Sequence, residues 1–389
     1  MSNVVSVEPY TIAVGQDIID DLRQRITRTR WPARPSLPGW AGGADTGYLH
    51  ELLTTWADGF DWRAQERELN RFAHFRARVD GIGVHFVHVR GTGPDPLPIV
   101  LTHGWPSSFT EHLGLARLLA DPAGHDGQAS DCFDVVVASL PGYGFSDPLP
   151  PAAMTSAAIA DLWHRLMREG LGYPWFGAHG SDIGAGVTTR LGWQHPEALA
   201  GIHLTAVGFP SPPQPRTHRE REYEAAVQRW DDSEGAYSHL HATKPQTLAC
   251  ALNDSPAGLA AWITEKFRAW SDCGGQIESK FTRDHLLTNL TIYWATQTIG
   301  PSLLPYYGYR HHGGPLPAHA RIRPPAGFAI FANEFATAGR PPRELAERTY
   351  NVTHWNEYPR GGHFPALEET HLLAGDIRRF FRPLRGRRP

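Results

Sequence analysis

A chain of 389 residues, 41% hydrophobic and 20% charged with 13 Trp, is globular in composition and long enough for one catalytic core with insertions or extensions, but short of two full-sized enzymes. Its formal net charge of -3, from 37 basic and 40 acidic residues, gives no electrostatic reason to bind nucleic acid, so a small uncharged partner is expected. Cys132, Cys250 and Cys273 are an odd, widely spaced set with no CxxC, which fits a reducing compartment, the cytoplasm by default, and disfavours a disulfide framework or a thiolate metal site.

Met1 to Gln16 has neither a basic stretch leading into an apolar core nor an apolar run of spanning length, so no signal peptide and no membrane anchor are expected. A helical opening follows over Asp17 to Arg30, then a Pro/Gly/Trp-rich meander from Trp31 to Gly47, then Leu49, Leu52, Leu53 and Trp56 at helical spacing. Phe75 to Val79 and Val84 to Val89 alternate on either side of Asp80-Gly81, the pattern of a hairpin with a two-residue turn. Residues 1–92 therefore read as an N-terminal extension with the first hairpin.

Short β-branched runs recur between helical segments: Pro98 to Leu101, Asp134 to Ala138, Trp175 to Ala178, Gly201 to Thr205 and Phe328 to Phe331. Strands alternating with helices predict an α/β fold with a mostly parallel sheet flanked by helices. Between the fourth and fifth runs the rhythm stops. Phe209-Pro-Ser-Pro-Pro-Gln-Pro215 opens a helix-rich block that closes near Pro324-Pro325. The expected layout is a core in two parts, 93–208 and 326–389, with a helical cap inserted at 209–325. The basic tail from Arg378 to Arg388 reads as the solvated end of a terminal helix.

The chemistry centres on Phe176-Gly-Ala-His-Gly-Ser-Asp-Ile-Gly184, where an apolar run ends in a small-residue turn, the signature of a strand-turn-helix nucleophile elbow. Residues two before and two after the nucleophile must be small for strand and helix to pass. Centred on Asp182 these are Gly180 and Gly184, whereas centred on Ser181 they are His179 and Ile183, which clash. The nucleophile is therefore read as a carboxylate. A carboxylate makes an ester by displacement at an electrophilic carbon, which points to epoxides or alkyl halides and away from ordinary ester hydrolysis.

Such a nucleophile needs a base for the second step, a group to orient that base, and donors for an oxyanion. Arg360-Gly-Gly-His363-Phe-Pro follows the short run Trp355 to Pro359, so His363 is the expected base among 21 histidines, on chain order. Phe328 to Phe331 leads into Ala-Asn-Glu334, making Glu334 the orienting acid. The loop Leu101-Thr-His103-Gly104-Trp105-Pro106 follows the first parallel strand and supplies the oxyanion and substrate-binding residues, with the amides of Trp105 and Ile183 as the expected donor pair. The order Asp182, Glu334, His363 is that of an α/β-hydrolase fold.

These residues resemble the microsomal-type epoxide hydrolase family, which includes juvenile hormone epoxide hydrolase and bacterial relatives. The resemblance covers nearly the whole chain. It rests on Arg30-Trp31-Pro32, His103-Gly-Trp-Pro-Ser-Ser108, Leu140-Pro-Gly-Tyr-Gly-Phe-Ser146, Gly180-Ser-Asp-Ile-Gly184, Thr243-Lys-Pro245, Leu252-Asn-Asp-Ser-Pro-Ala-Gly-Leu259, Leu287-Thr-Asn289 with Tyr293-Trp294, and Arg360-Gly-Gly-His363. It implies two cap tyrosines donating to the epoxide oxygen, which local matching assigns to Tyr237 and Tyr306. The run Leu303-Leu-Pro-Tyr306-Tyr-Gly-Tyr309 lacks the family's flanking Arg and acidic residue, so Tyr307 is a rival. Animal relatives carry an N-terminal membrane anchor absent here, so the chain resembles the soluble bacterial members.

The resemblance implies conversion of an apolar or aryl epoxide and water to a vicinal diol, in xenobiotic detoxification or natural-product biosynthesis, with no metal and no organic cofactor. A haloalkane dehalogenase-like hydrolase would need halide donors, commonly an indole beside the nucleophile, where Ile183 stands. A non-catalytic hydrolase-fold binding protein would be expected to have lost Asp182, Glu334 or His363. His239 and His241 are spaced i, i+2 on a predicted helix and point apart, and no HExxH exists, which disfavours a metal hydrolase. The sequence is compatible with a homo-oligomer and does not decide it.

Overall fold

The computed structural model describes residues 5–33, 37–125, 127–206, 217–334 and 340–386. The N-terminal segment comprises β1 (Ser6–Tyr10), α1 (Gln16–Thr27), α2 (Thr46–Thr54) and α3 (Trp62–Leu69). Leu49, Leu52, Leu53 and Trp56 are all buried, and the Trp56 indole donates to Thr291 Oγ1 at 2.9 Å, tying this segment to the helices described below. β2 (His74–Val79) and β3 (Ile82–Val89) form the hairpin, with Asp80 and Gly81 both at positive φ, as a two-residue turn matched to strand twist requires. β1 was not anticipated. Its half-exposed, weakly alternating residues gain strand character only by pairing with the edge of β2, where Pro9 is tolerated.

The core continues with β4 (Leu97–Thr102), α4 (Leu113–Ala120), β5 (Phe133–Ala138), α5 (Ser156–Arg165), β6 (Phe176–Gly180), α6 (Asp182–Gln194) and β7 (Leu199–Leu204). Among the described residues six α-helices follow: α7 (His218–Glu234), α8 (Ala236–Thr243), α9 (Pro245–Asp254), α10 (Pro256–Trp270), α11 (Arg283–Thr296) and α12 (Ile299–Gly308). The chain returns through β8 (Ile322–Phe331), α13 (Arg343–Ala346), β9 (Tyr350–Tyr358), α14 (Pro365–Glu368) and α15 (Thr370–Phe381). The described residues form one nine-stranded sheet of order β1-β2-β3-β5-β4-β6-β7-β8-β9, antiparallel up to the β3–β5 pair and parallel beyond it. The central strands are buried on both faces, so Phe133-Asp-Val-Val-Val-Ala138 reads as a near-continuous apolar run.

Two expectations are corrected. The close of the helical block expected at Pro324-Pro325 falls inside β8, where both prolines precede Ala326, the first residue paired with β7, and sit at a register shift against β9, so their missing N–H groups break no ladder. The basic tail is only partly solvated: Arg378 is buried and Arg382 pairs with the buried Asp131 at 2.5 Å. The expected linker Phe209 to Pro215 lies outside the described residues. No helix among those described is long and apolar enough to cross a membrane.

The strand order positions the site. From β4 the chain moves outward to β5, then crosses back to β6 on the opposite side, so the carboxyl ends of β4 and β6 lie side by side, with Thr102 opposite Gly180. Such a reversal opens a crevice beyond the strand ends, where ligands of α/β sheets bind.

Candidate active site

At the end of β6 the backbone turns sharply into α6, and Asp182 sits at φ 48, a left-handed conformation that costs energy for a residue with a side chain. The flanking glycines make the turn feasible. A Cβ on Gly180 would lie 2.1 Å from the Gly184 carbonyl oxygen, and one on Gly184 only 2.0 Å from the Thr102 carbonyl oxygen. Gly104 serves the same end from the neighbouring loop, since a Cβ there would lie 2.3 Å from Asp182 Oδ1.

The close approach brings the Trp105 amide within 3.0 Å of Asp182 Oδ1. Ile183 follows in the first turn of α6, where amides lack intrahelical acceptors, and lines the same cavity as Asp182. His103 departs from expectation. It is fully buried, its Nδ1–H donates to the Gly104 carbonyl at 3.1 Å and its Nε2 accepts from the Leu140 amide at 3.2 Å. With both nitrogens occupied by backbone it shapes the loop and offers nothing to a ligand. Burial lowers its pKa to about 4, so it stays neutral.

His363 comes to the other side of Asp182 on the loop after β9. Its Nε2 lies 3.5 Å from Asp182 Oδ2, and its Nδ1 lies 3.6 Å from Glu334 Oε1, at the end of β8. Burial alone would depress the imidazole, but the carboxylates of Asp182 and Glu334 outweigh it and raise His363 to about 10. Burial in turn pushes Glu334 upward against the opposing effect of His363. The loop is held by contacts sequence reading missed. The His363 amide donates to the Trp270 carbonyl at 2.8 Å, and the Glu368 carboxylate accepts from the amides of Gly362, Phe364 and Asp272.

Tyr237, on α8, and Tyr306, on α12, pack together above the Trp105 loop. Their ring centroids are 5.9 Å apart, and Tyr237 stacks on Trp105 at 5.3 Å. Burial, and then the charge of Asp182, push the Tyr237 phenol well above its usual value, and burial does the same to Tyr306, so both keep their protons. Tyr306 lines a cavity of about 460 Å³ together with Asp182, Ile183, Ser238 and Ala242. Tyr307 instead packs against His311, with ring centroids 4.2 Å apart and the planes tilted.

Several motifs prove to be struts for this arrangement. Asn289 Nδ2 donates to the Pro106 carbonyl at 2.9 Å and the Tyr293 hydroxyl to the Ser107 carbonyl at 2.9 Å, so α11 clamps the loop after β4. The Tyr143 hydroxyl donates to the Ser302 carbonyl at 2.8 Å, tying Leu140–Ser146 to α12. One buried acid escaped notice: Glu111, in the turn Phe109–His112, accepts from Ser181 Oγ at 3.3 Å and pairs with no cation among the described residues. Burial pushes it up to about 7, partly offset by the Ser107 hydroxyl and His363. A Glu between His103 and a helical run carries no signal of burial by itself.

Asp182, His363 and Glu334 thus meet in one chain of contacts beside the cavity that Tyr306 lines, with Tyr237 packed against Tyr306. His239 is exposed and His241 buried on α8, so they do point apart. Residues 7–112 match the family model for the epoxide hydrolase N terminus, and residues 98–238 that for the alpha/beta hydrolase fold. The chain is 42% identical to a protein of Stigmatella aurantiaca named "Putative epoxide hydrolase", covering 98% of this chain and 86% of the relative. It is 34% identical to epoxide hydrolase 1 of Oryctolagus cuniculus, over 96% and 88%. The crystal structure of juvenile hormone epoxide hydrolase from Bombyx mori superposes with a TM-score of 0.83 at 25% identity, covering 99% of this chain and 96% of that one. The Aspergillus niger epoxide hydrolase superposes with 0.83 at 27%, covering 97% and 96%. A carboxylate at the elbow of an α/β-hydrolase fold and identities of 42% and 34% over at least 96% of this chain lead to one conclusion: the chain belongs to the epoxide hydrolase family.

Proposed function

We propose that this epoxide hydrolase opens an apolar or aryl epoxide through a covalent ester on Asp182, and that the observation carrying this reading is the placement of Asp182 between the Trp105 amide, His363 and a cavity shared with Tyr306. Oδ1 is held by the Trp105 amide, which leaves Oδ2 to attack an epoxide carbon. The Asp–carbon bond forms as the ring C–O bond breaks, and the released oxygen takes a proton from the Tyr237/Tyr306 pair. His363, protonated at rest by its two carboxylate neighbours, returns a proton to the tyrosine.

Esterification removes one of the two charges that hold that proton, so His363 is left as a neutral imidazole suited to act as base. It takes a proton from water as the hydroxyl oxygen bonds to Cγ, and the charge developing on Oδ1 faces the Trp105 N–H. Collapse breaks the ester, the departing oxygen takes the proton of the newly formed acid, and Asp182 carboxylate and His363 imidazolium are restored with a vicinal diol released. Glu334 keeps the imidazole oriented and supports its cation.

The same reading has the helices between β7 and β8 act as the cap, residues 1–92 as an extension packed beside it, and a cytoplasmic enzyme working without metal or cofactor. Detoxification and natural-product biosynthesis both fit such an activity. The test is intact-protein mass spectrometry of His363→Gln mixed with styrene oxide. One substrate mass should accumulate, mapping to the peptide that contains Asp182. A folded variant that never acquires the adduct, or one that turns over at the wild-type rate, contradicts this division of labour.

A further inference from the structure

Tyr237 and His241 are one turn apart on α8, so both side chains leave the helix on the same face. His241 is fully buried. Its ring lies 4.8 Å from Trp105, 4.9 Å from Tyr306 and 5.5 Å from Tyr237, packed against the loop residue whose amide meets Asp182 and against both cap tyrosines. Ser238 and Ala242, its neighbours on the helix, line the cavity that contains Asp182 and Tyr306.

The tautomer follows from the partner. Trp262 Nε1 lies 3.1 Å from His241 Nε2, and an indole N–H is only a donor, so Nε2 must be the acceptor and the ring proton sits on Nδ1. Burial, and then the nearby Lys266 cation, lower the imidazole to about 3, so it is neutral throughout the working range. Nδ1 is buried and has no protein partner among the described residues. A buried N–H without an acceptor is costly to keep unless something else accepts from it.

We propose that His241 is a specificity-determining residue whose Nδ1–H is a third donor beside the two tyrosines, binding an acceptor oxygen that the substrate carries next to its epoxide ring. With Tyr237 and Tyr306 on the ring oxygen, and the imidazole ring 5.5 Å and 4.9 Å from theirs, an acceptor that it binds belongs close to the epoxide. The substrate class is therefore an oxygenated epoxide, such as a glycidyl ether or an α,β-epoxy carbonyl compound, rather than a pure hydrocarbon oxide. This rests on the assignment of Asp182 and the two tyrosines made above.

The experiment compares kcat/KM for phenyl glycidyl ether and styrene oxide, two aryl epoxides of which only the first has an oxygen beside the ring. His241→Phe keeps the ring and removes the donor. The ratio of the two constants should fall about tenfold, since a site built to hydrogen-bond an acceptor loses it selectively. His241→Gln, which retains an N–H, should recover most of the ratio. Trp262→Phe leaves His241 in place but frees its tautomer, and should lower the ratio part of the way even if the His241 variants fold poorly. An unchanged ratio in His241→Phe and Trp262→Phe, including a proportional loss on both probes, overturns the proposal. A wild-type enzyme that forms no adduct and no diol from any epoxide would instead remove the underlying assignment of the site.

Discussion

Substituting Gly184 tests the geometry of the elbow most directly. In Gly184→Ala the new Cβ would lie 2.0 Å from the Thr102 carbonyl oxygen, 2.6 Å from its carbon and 2.9 Å from the His103 carbonyl oxygen. An unstrained C···O contact is roughly 3.3 Å, so the start of α6 must retreat from the end of β4 by about 1 Å. Those two elements carry Asp182 and the Trp105 loop, whose hydrogen bond of 3.0 Å would stretch to about 4 Å and be lost. Losing one oxyanion donor costs on the order of 10²–10³ in kcat. Overpacking costs about 1–3 kcal/mol in stability, partly offset by the stiffer unfolded chain. The paired control is Gly375→Ala on α15, where the nearest atom to a new Cβ is the flexible end of Arg379 at 4.0 Å. Diol formation at saturating styrene oxide and the thermal midpoint by circular dichroism should then separate cleanly: Gly184→Ala folded but at least about 10²-fold slower, Gly375→Ala active and as stable as wild type or more so. A Gly184→Ala enzyme within twofold of the wild-type kcat would refute the argument that strand and helix must touch for catalysis.

Tyr237→Phe and Tyr306→Phe should each slow ester formation on the order of 10²-fold in single-turnover mixing, while Tyr307→Phe stays near wild type; the reverse ranking would move the second donor to Tyr307. Asp182→Ala should abolish diol formation in a folded protein and Ser181→Ala should be much milder, and a more damaging Ser181 substitution would make the hydroxyl the nucleophile. Glu111 has an ordinary value of 4.5 when unfolded and about 7 when folded, so the native state holds a proton that the unfolded chain releases. Its contribution to stability is full below pH 4.5 and is lost as pH rises through about 7, a difference worth roughly 3 kcal/mol at 1.36 kcal/mol per pH unit. Urea unfolding of wild type against Glu111→Gln should show that loss in wild type only; a stability difference independent of pH would mean the carboxyl is not held protonated.

The placement of the site was legible because it is written in local constraints. Gly180, Asp182 and Gly184 report how closely a strand and a helix must pass, and that requirement is the same wherever the elbow occurs. Chain order then singled out Glu334 and His363, since loops at the carboxyl ends of parallel strands converge whatever the helices between them do. The central strands were legible as apolar runs because both their faces are covered. Asp80-Gly81 announced its turn by the positive φ that both positions adopt.

Other features depended on what the chain folds against. β1 is a strand only because β2 offers an unpaired edge, and two prolines fit within β8 because β7 does not pair with it there. His103 looked like a substrate contact and is a backbone strut, because Leu140, 37 residues away, supplies the amide that occupies its Nε2. Glu111 became a proton-holding acid, Glu368 a clamp on the His363 loop, and His241 a donor of fixed tautomer through partners brought in by long-range packing. By itself the sequence determined the elbow, the carboxylate at its apex and the chain order of the three side chains that meet there, since close approach and strand order constrain residue type locally. Only the tertiary structure decided which buried polar atoms meet and which hold protons, since burial and neighbouring charge arise from contacts between segments distant in the chain.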